Sequence, residues 1–128
     1  MIKCSSTEAN FATHFTNGKH QGVCDAPVEK GGGGAGFGPH ELLEAALAGC
    51  LNIWTRKYAS EHQIPLAGIT TEVSLNREIP GEAVFTYAIE LRGPLTEGQR
   101  QELLLAAQSC PVHQTLSRKI SFQPMTAR

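Results

Sequence analysis

Residues 39 to 62 constrain the fold most, because their apolar side chains cover most of the circumference of an α-helix. Pro39 suits the first turn of a helix, and Pro65 opposes its continuation at the far end. A helix that is apolar almost all round is a buried helix. We therefore predict one long, buried helix whose apolar positions are Leu42, Leu43, Ala46, Leu47, Cys50, Leu51, Ile53 and Trp54.

The segments on either side of this helix alternate apolar and polar residues, as β-strands do. Residues 9–25 carry Asn17-Gly18 at their centre, a strong signal for a tight hairpin, and residues 2–8 predict a further strand. Residues 69–76 and 85–92 predict a second strand pair. Between the hairpin and the helix, the glycine-rich residues 29–39 predict a flexible surface loop, because glycine is costly to order.

The last third of the chain predicts two helices and a strand. Thr96 followed by Gln99 forms a capping box, which starts one helix. Pro111 starts another, which we expect to run through Lys119, and "ISFQP" at residues 120–124 predicts a final strand. This order of strands and helices argues for an α+β fold with the long helix packed across an antiparallel sheet.

Size and charge limit what the chain can bind. Its 128 residues, 41% hydrophobic and 18% charged, predict a single domain over residues 1–128. The formal net charge of -1, with scattered Lys and Arg, argues against nucleic acid and anionic lipid as partners. We find no apolar run long enough for a secretory signal or a membrane span, so we expect a cytoplasmic protein.

Four cysteines, Cys4, Cys24, Cys50 and Cys110, carry the candidate chemistry. In a reducing cytoplasm we expect reactive or simply buried thiols rather than structural disulfides. The chain has no CxxC pair, and the spacing of Cys4, His14, His20 and Cys24 matches no standard metal site. We therefore predict no metal and no cofactor.

Cys110 directly precedes Pro111 and is the expected N-cap of the last helix. Unpaired amides and the helix dipole favour a thiolate there, although a buried cysteine serving as a small hydrophobe is the plainer alternative. Cys50 lies inside the apolar helix, where burial alone would make it inert. A reactive Cys50 needs a nearby cation or donor, for which Lys19, Arg56, His113 and His40 are candidates.

Several motifs, taken in order, resemble the OsmC/Ohr family of thiol peroxidases. They are "TNGKH" with Asp25 and Pro27, the glycine-rich loop, "GPHELLEAALAGC", two strands and "SCPVHQTL". The resemblance spans nearly the whole chain. It implies an OsmC-like α+β fold in which antiparallel sheets wrap around a long central helix, an intertwined homodimer, and sites at the subunit interface.

The resemblance also implies a reaction. Cys50 would be the peroxidatic cysteine, which attacks an organic hydroperoxide or hydrogen peroxide and becomes a sulfenic acid. Cys110 would resolve that sulfenic acid as a disulfide, and a dithiol reductant, lipoyl- or thioredoxin-like, would restore both thiols. The alternative within the family is a small-ligand-binding protein whose cysteines are structural. A hot-dog-like thioesterase also wraps a sheet around a long helix, but the ordered cysteine motifs argue against it.

The chain departs from the family at the groups that activate the thiolate. The best characterised members use an arginine from the N-terminal strands and a glutamate ten residues before the first cysteine. Here residues 1–55 contain no Arg, and His40 occupies the glutamate position. Lys19, His40 and the adjacent Glu41 are the candidates to replace them, although a lysine lacks the bidentate fork of arginine. A solvated acid in the first helical turn is an equally good interpretation of Glu41.

Three further side chains have both a structural and a functional interpretation. Trp54 and Tyr58 lie four residues apart on the long helix, which suits a dimer core better than a substrate platform. Asp25 could position the glycine-rich loop, but a plain turn role is the simpler expectation.

Overall fold

The computed structural model describes residues 1–125 and confirms the α+β class with antiparallel sheets. The contacts of the chain fall into two compact units, one of residues Met1–Ala45 and one from Ala46 onward. The single domain over residues 1–128 stays a prediction. The elements are β1 (Lys3–Ser6), β2 (Thr13–Thr16), β3 (Gln21–Cys24), a 3-10 turn (Val28–Lys30), α1 (Pro39–Glu61), β4 (Gly68–Asn76), β5 (Val84–Arg92), α2 (Glu97–Ala107) and α3 (Pro111–Leu116).

The first unit contains a three-stranded antiparallel sheet in the order β1-β2-β3. The predicted hairpin at Asn17-Gly18 is confirmed. The Asn17 side-chain oxygen accepts hydrogen bonds from the backbone N–H of Lys19 at 2.9 Å and of His20 at 2.7 Å. Gly18 has a φ of 94°, a conformation that a residue with a Cβ adopts only at a cost. The turn is therefore determined locally, by Asn17 and Gly18 themselves.

The glycine-rich loop lies on the surface, and the Asp25 carboxylate organises it. Asp25 is only 4% exposed. Its two oxygens accept hydrogen bonds from the N–H groups of Ala26, Gly33 and Ala35, at 2.7, 3.2 and 3.1 Å. Of the two roles considered for Asp25, loop positioning is the one that these contacts support, and the plain turn role is wrong.

The second unit packs helices against the β4–β5 hairpin. The two strands pair from Gly68↔Arg92 to Asn76↔Val84, as predicted. One cluster of buried residues consists of Leu47, Leu51, Ala107 and Cys110, and another of Ala59, Ile64, Leu91 and Leu103. The Thr96–Gln99 capping box at the start of α2 is confirmed. Apolar burial between α1, α2 and the sheet is the main source of stability here.

The prediction that α1 is buried almost all round is wrong for the described chain. Its buried residues form one stripe at a spacing of four, Leu47, Leu51, Thr55 and Ala59. Ile53, on another face of the same helix, is 55% exposed. The apolar pattern correctly marked the helix, but a single chain supplies neighbours for only part of its circumference.

Two predictions at the C-terminal end are also wrong. The helix that begins at Pro111 ends at Leu116 rather than at Lys119. Residues 120–124 form no strand, and Phe122 is 90% exposed. A short alternating segment becomes a strand only when a neighbouring strand pairs with it, and none of the described residues does so here.

Candidate functional site

Cys50 and Cys110 meet at the N-terminus of α3. The Cys50 sulfur, on α1, accepts a hydrogen bond from the Val112 N–H at 3.4 Å. The Cys110 sulfur accepts one from the His113 N–H at 3.3 Å. The two thiols are close enough for Cys50 to raise the pKa of Cys110. Residues that are sixty positions apart in the sequence therefore share one set of backbone donors.

The local sequence of the α2–α3 corner explains this geometry. The Cys110 N–H donates to the Ala107 carbonyl at 3.1 Å, which turns the chain back just after α2. Pro111 then occupies the first turn of α3 and has no N–H, so the first free donors of the helix belong to Val112 and His113. Cys110 is the N-cap, as predicted. Both donors consequently point at sulfur atoms.

The two sulfurs differ in their access to solvent. Cys110 is 0% exposed and belongs to the buried cluster with Leu47, Leu51 and Ala107. Cys50 packs against the same cluster but is only half-buried. Cys50 is therefore partly open to solvent, whereas Cys110 is not.

The expectation that Cys110 is an acidic thiol is wrong. Burial raises the pKa of the Cys110 thiol above its ordinary value, and it outweighs the opposing effect of the His113 N–H. Interaction with the neighbouring Cys50 raises the Cys110 pKa further, and the Val112 N–H lowers it. The amides at the start of α3 are evident from the sequence, whereas the loss of water around Cys110 is not. The raised pKa favours the protonated thiol of Cys110.

A pocket of about 200 Å³ adjoins the cysteine cluster. Its wall combines apolar and polar groups, and the ring of His113 meets that of Tyr87 edge-on, with centroids 6.1 Å apart. The lining residues are Leu47, Ala83, Phe85, Tyr87, His113, Leu116 and Ser117. Of these, only His113 was a candidate from the sequence. The alternation in β5 placed Phe85 and Tyr87 on the covered face, but it could not indicate that a pocket lies there.

Lys19, His40 and Glu41 lie in the first unit, and the structure gives each of them a local setting. Lys19 is exposed in the β2–β3 turn, and His40 is exposed in the first turn of α1. The Glu41 carboxylate accepts a hydrogen bond from the Gly38 N–H at 2.9 Å, which caps the start of α1. The roles of these three residues at Cys50 stay predictions.

Trp54 and Tyr58 bind α1 to α2 of the same chain. The Trp54 Nε1–H donates to the Ala106 carbonyl at 3.0 Å, and the Tyr58 hydroxyl donates to the Glu102 carboxylate at 2.7 Å. Each aromatic side chain therefore has a packing role within the second unit.

Residues 1–125 show neither a membrane-spanning helix nor a cluster of metal ligands. No helix in that range is long and apolar enough to cross a membrane. No three His, Cys, Asp or Glu side chains of these residues lie close enough together to hold a metal ion.

Comparisons with known proteins identify the family. The family model described as OsmC-like protein matches residues 31–124. A search of curated proteins gave no match. Among solved structures, a protein of Psychrobacter arcticus 273-4 described as an osmotic stress induced and detoxification response protein has 25% identity and a TM-score of 0.74, covering 89% of this chain and 85% of its own.

Two further solved structures show the same fold. An organic hydroperoxide resistance protein OsmC from Legionella pneumophila has 24% identity and a TM-score of 0.66, covering 91% of this chain and 88% of its own. An OsmC-like protein from Mycoplasma pneumoniae has 22% identity and a TM-score of 0.77, covering 91% of this chain and 85% of its own. The family thus includes proteins named for resistance to organic hydroperoxides. With a family model over most of its length, this chain belongs to the OsmC-like protein family.

Proposed function

We propose that the protein is a cysteine-based thiol peroxidase that reduces organic hydroperoxides or hydrogen peroxide. The observation that carries the proposal is that the two sulfurs accept from adjacent backbone amides at the start of α3, with Cys50 half-buried and Cys110 buried. A peroxidatic cysteine must meet its substrate, and a resolving cysteine must lie within reach of the oxidised sulfur. The two positions meet these separate requirements.

In the first step the Cys50 thiolate attacks the terminal oxygen of the hydroperoxide. The S–O bond forms as the O–O bond breaks, the alcohol leaves with a proton from solvent, and Cys50 becomes a sulfenic acid. The Val112 N–H donates to the Cys50 sulfur and would stabilise its negative charge before attack. This donor would serve part of the role of the activating arginine that the family resemblance implies.

In the second step Cys110 attacks the Cys50 sulfur. The S–S bond forms, the S–O bond breaks, and the hydroxyl leaves as water with the proton that Cys110 loses. The His113 N–H stabilises the charge that develops on the Cys110 sulfur. A dithiol reductant, lipoyl- or thioredoxin-like, then exchanges with the disulfide and releases both thiols.

Lys19, His40 and Glu41 are proposed as the activating groups from their positions in the family motifs. A cation from Lys19 or His40 would favour the Cys50 thiolate, and Glu41 would orient that cation. The cap that Glu41 makes with Gly38 uses Oε1, which leaves its other oxygen for such a partner. All four cysteines are free thiols, which suits a reducing cytoplasm.

The pocket beside α3 is the proposed place for the organic group of the substrate. Leu47, Phe85 and Leu116 supply apolar walls, and a volume of about 200 Å³ suits a compact alkyl or aryl group. The same pocket favours a second candidate function, the binding of a small apolar ligand by a protein whose cysteines are structural.

Mass spectrometry after one equivalent of cumene hydroperoxide, with free thiols alkylated before digestion, tests the proposal. We expect a Cys50–Cys110 disulfide and alkylated Cys4 and Cys24, and no disulfide in Cys50→Ser. Unmodified thiols at both positions would contradict the peroxidase and leave ligand binding as the function. Native mass spectrometry of the undigested protein is expected to give twice the mass of one chain. A homodimer would cover apolar groups such as Ile53, Leu105 and Phe122, which are 55%, 68% and 90% exposed in one chain.

A further inference from the structure

A small polar network joins α1 to β4 on both sides of Cys50 in the sequence. The Thr71 hydroxyl donates to the Ala48 carbonyl at 2.8 Å. The Asn52 side-chain amide donates to the Ile69 carbonyl at 3.3 Å and lies 3.5 Å from the Thr71 hydroxyl oxygen. Ala48 and Asn52 are two residues before and two residues after Cys50. The segment of α1 that carries the proposed peroxidatic cysteine is thus bonded to the sheet at two points.

The hydroxyl of Thr71 lies where an apolar side chain would be expected. Thr71 shares the half-buried face of β4 with Ile69, Val73 and Leu75. The Ala48 carbonyl that it reaches has a helical partner in the Asn52 N–H, so the helix does not need this extra bond. The bond therefore does more than satisfy a backbone group. It links the Ala48 carbonyl of α1 to Thr71 of β4.

Helix geometry places this network across the helix from Cys50. At 100° per residue, Ala48 and Asn52 each lie about 160° around the axis from Cys50. Leu47 and Leu51, which are buried, lie between the two sides at about 60° and 100°. Leu47 and Leu51 therefore pack into the core. Thr71 bonds to α1 on one side of them, and the Val112 amide of α3 bonds to Cys50 on the other.

This arrangement opposes rotation of α1 about its own axis, in addition to the bonds that Trp54 and Tyr58 make to α2. A sulfur atom about 5 Å from the axis moves by about 1 Å when the helix turns by about 10°. A displacement of that size would break the 3.4 Å contact between the Cys50 sulfur and the Val112 N–H. Apolar packing is not directional, so the leucines alone do not resist such a rotation well.

We propose that Thr71, together with Asn52, is a positioning residue that holds the Cys50 sulfur against the Val112 N–H. The inference rests on the proposed function for its catalytic consequence, but the geometry it describes can be measured without any turnover. Thr71 touches neither thiol and acts through the orientation of α1.

The test compares Thr71→Val, which keeps the shape and removes the hydroxyl, with Thr71→Ser, which keeps the hydroxyl. Thr86→Val on the exposed face of β5 is the matched control. The rate of disulfide formation with cumene hydroperoxide is expected to fall on the order of tenfold in Thr71→Val, because a misplacement of about 1 Å has effects of this order or more. Thr71→Ser and Thr86→Val are expected to keep the wild-type rate.

Amide hydrogen exchange separates positioning from stability alone. In Thr71→Val the Val112 amide is expected to lose protection, whereas the His113 amide, which is bonded to Cys110, is expected to keep it. Wild-type exchange at Val112 together with a wild-type rate would overturn the proposal. If Thr71→Val does not fold, Asn52→Leu gives the same comparison. If the wild type forms no disulfide, the proposed function fails, but the exchange of Val112 still decides whether Thr71 positions α1.

Discussion

The glycine-rich loop and the cysteine site use a similar device with opposite consequences. In the loop, a buried carboxylate, Asp25, accepts three backbone N–H groups. At the start of α3, a buried thiol, Cys110, accepts the His113 N–H. A carboxylate is a strong, charged acceptor that permanently orders the groups around it. A thiol is a weak acceptor, so the effect of burial on the Cys110 pKa outweighs that of the His113 N–H, and the pKa is raised.

Backbone amides alone therefore do not make a site reactive. Asp25 has more donors than Cys110 and yet serves to hold a loop in place. In the proposed reaction Cys110 loses its proton only when it attacks the oxidised Cys50 sulfur. Two substitutions and one pH series test this contrast.

Replacing Cys110 by Ser is expected to abolish repeated turnover with a dithiol reductant. Cys50 would still react with peroxide, but the serine hydroxyl does not attack a sulfenic acid, and the Cys50 sulfur would proceed to the sulfinic acid. Intact-mass measurement over time should show one and then two added oxygens. Formation of a disulfide between Cys50 and Cys4 or Cys24 instead would contradict the assignment of Cys110 as the resolving residue.

Replacing Asp25 by Asn keeps the shape of the side chain, removes its charge and turns one acceptor into a donor. We expect a loss of about 2–3 kcal/mol in the free energy of unfolding, since hydrogen bonds to a buried charged group contribute about 1.5–3 kcal/mol. Urea denaturation measures this loss, and limited proteolysis should locate new cleavage within residues 28–38. The matched control is Glu29→Gln, an exposed acid in the same segment. Equal stability of the two variants would show that the Asp25 carboxylate does not order the loop.

The smallest expected effect is a pH dependence that Cys110 contributes to stability. Its pKa is raised in the folded state, so folding binds the proton more tightly than the unfolded chain does. This contribution is complete below the ordinary thiol pKa and is lost as the pH rises through the folded value. The free energy of unfolding of the reduced protein should therefore fall more steeply with alkaline pH than that of Cys110→Ala. Identical slopes for both proteins would indicate that Cys110 does not keep its proton on folding.

Local patterns predicted the elements of the fold with few errors. The Asn17-Gly18 turn, the Thr96–Gln99 capping box and the alternation of β4 and β5 all rely on neighbouring residues, and all were confirmed. The predicted strand at residues 120–124 failed because a strand needs a partner that lies elsewhere in the chain. The predicted burial of α1 failed for the same kind of reason, since the pattern does not say how many neighbours one chain supplies.

The candidate site could be predicted in part. The residues of "SCPVHQTL" identified Cys110 as an N-cap, because capping depends on the residues of one turn. Its pKa was predicted in the wrong direction, because burial depends on Leu47 and Leu51, which come from a distant helix. The residues around the pocket, Tyr87 and Phe85 among them, carried no signal beyond their alternation.

By itself, the sequence determined where helices, turns and caps begin, which cysteines carry the family motifs, and that no arginine precedes residue 56. Contacts between distant segments establish that Cys50 and Cys110 accept from adjacent amides of α3, that burial raises the pKa of Cys110, and that Thr71 bonds to the Ala48 carbonyl of α1. Capping and turn formation depend on a few adjacent residues, whereas desolvation and side-chain contacts depend on what the rest of the chain places beside each atom.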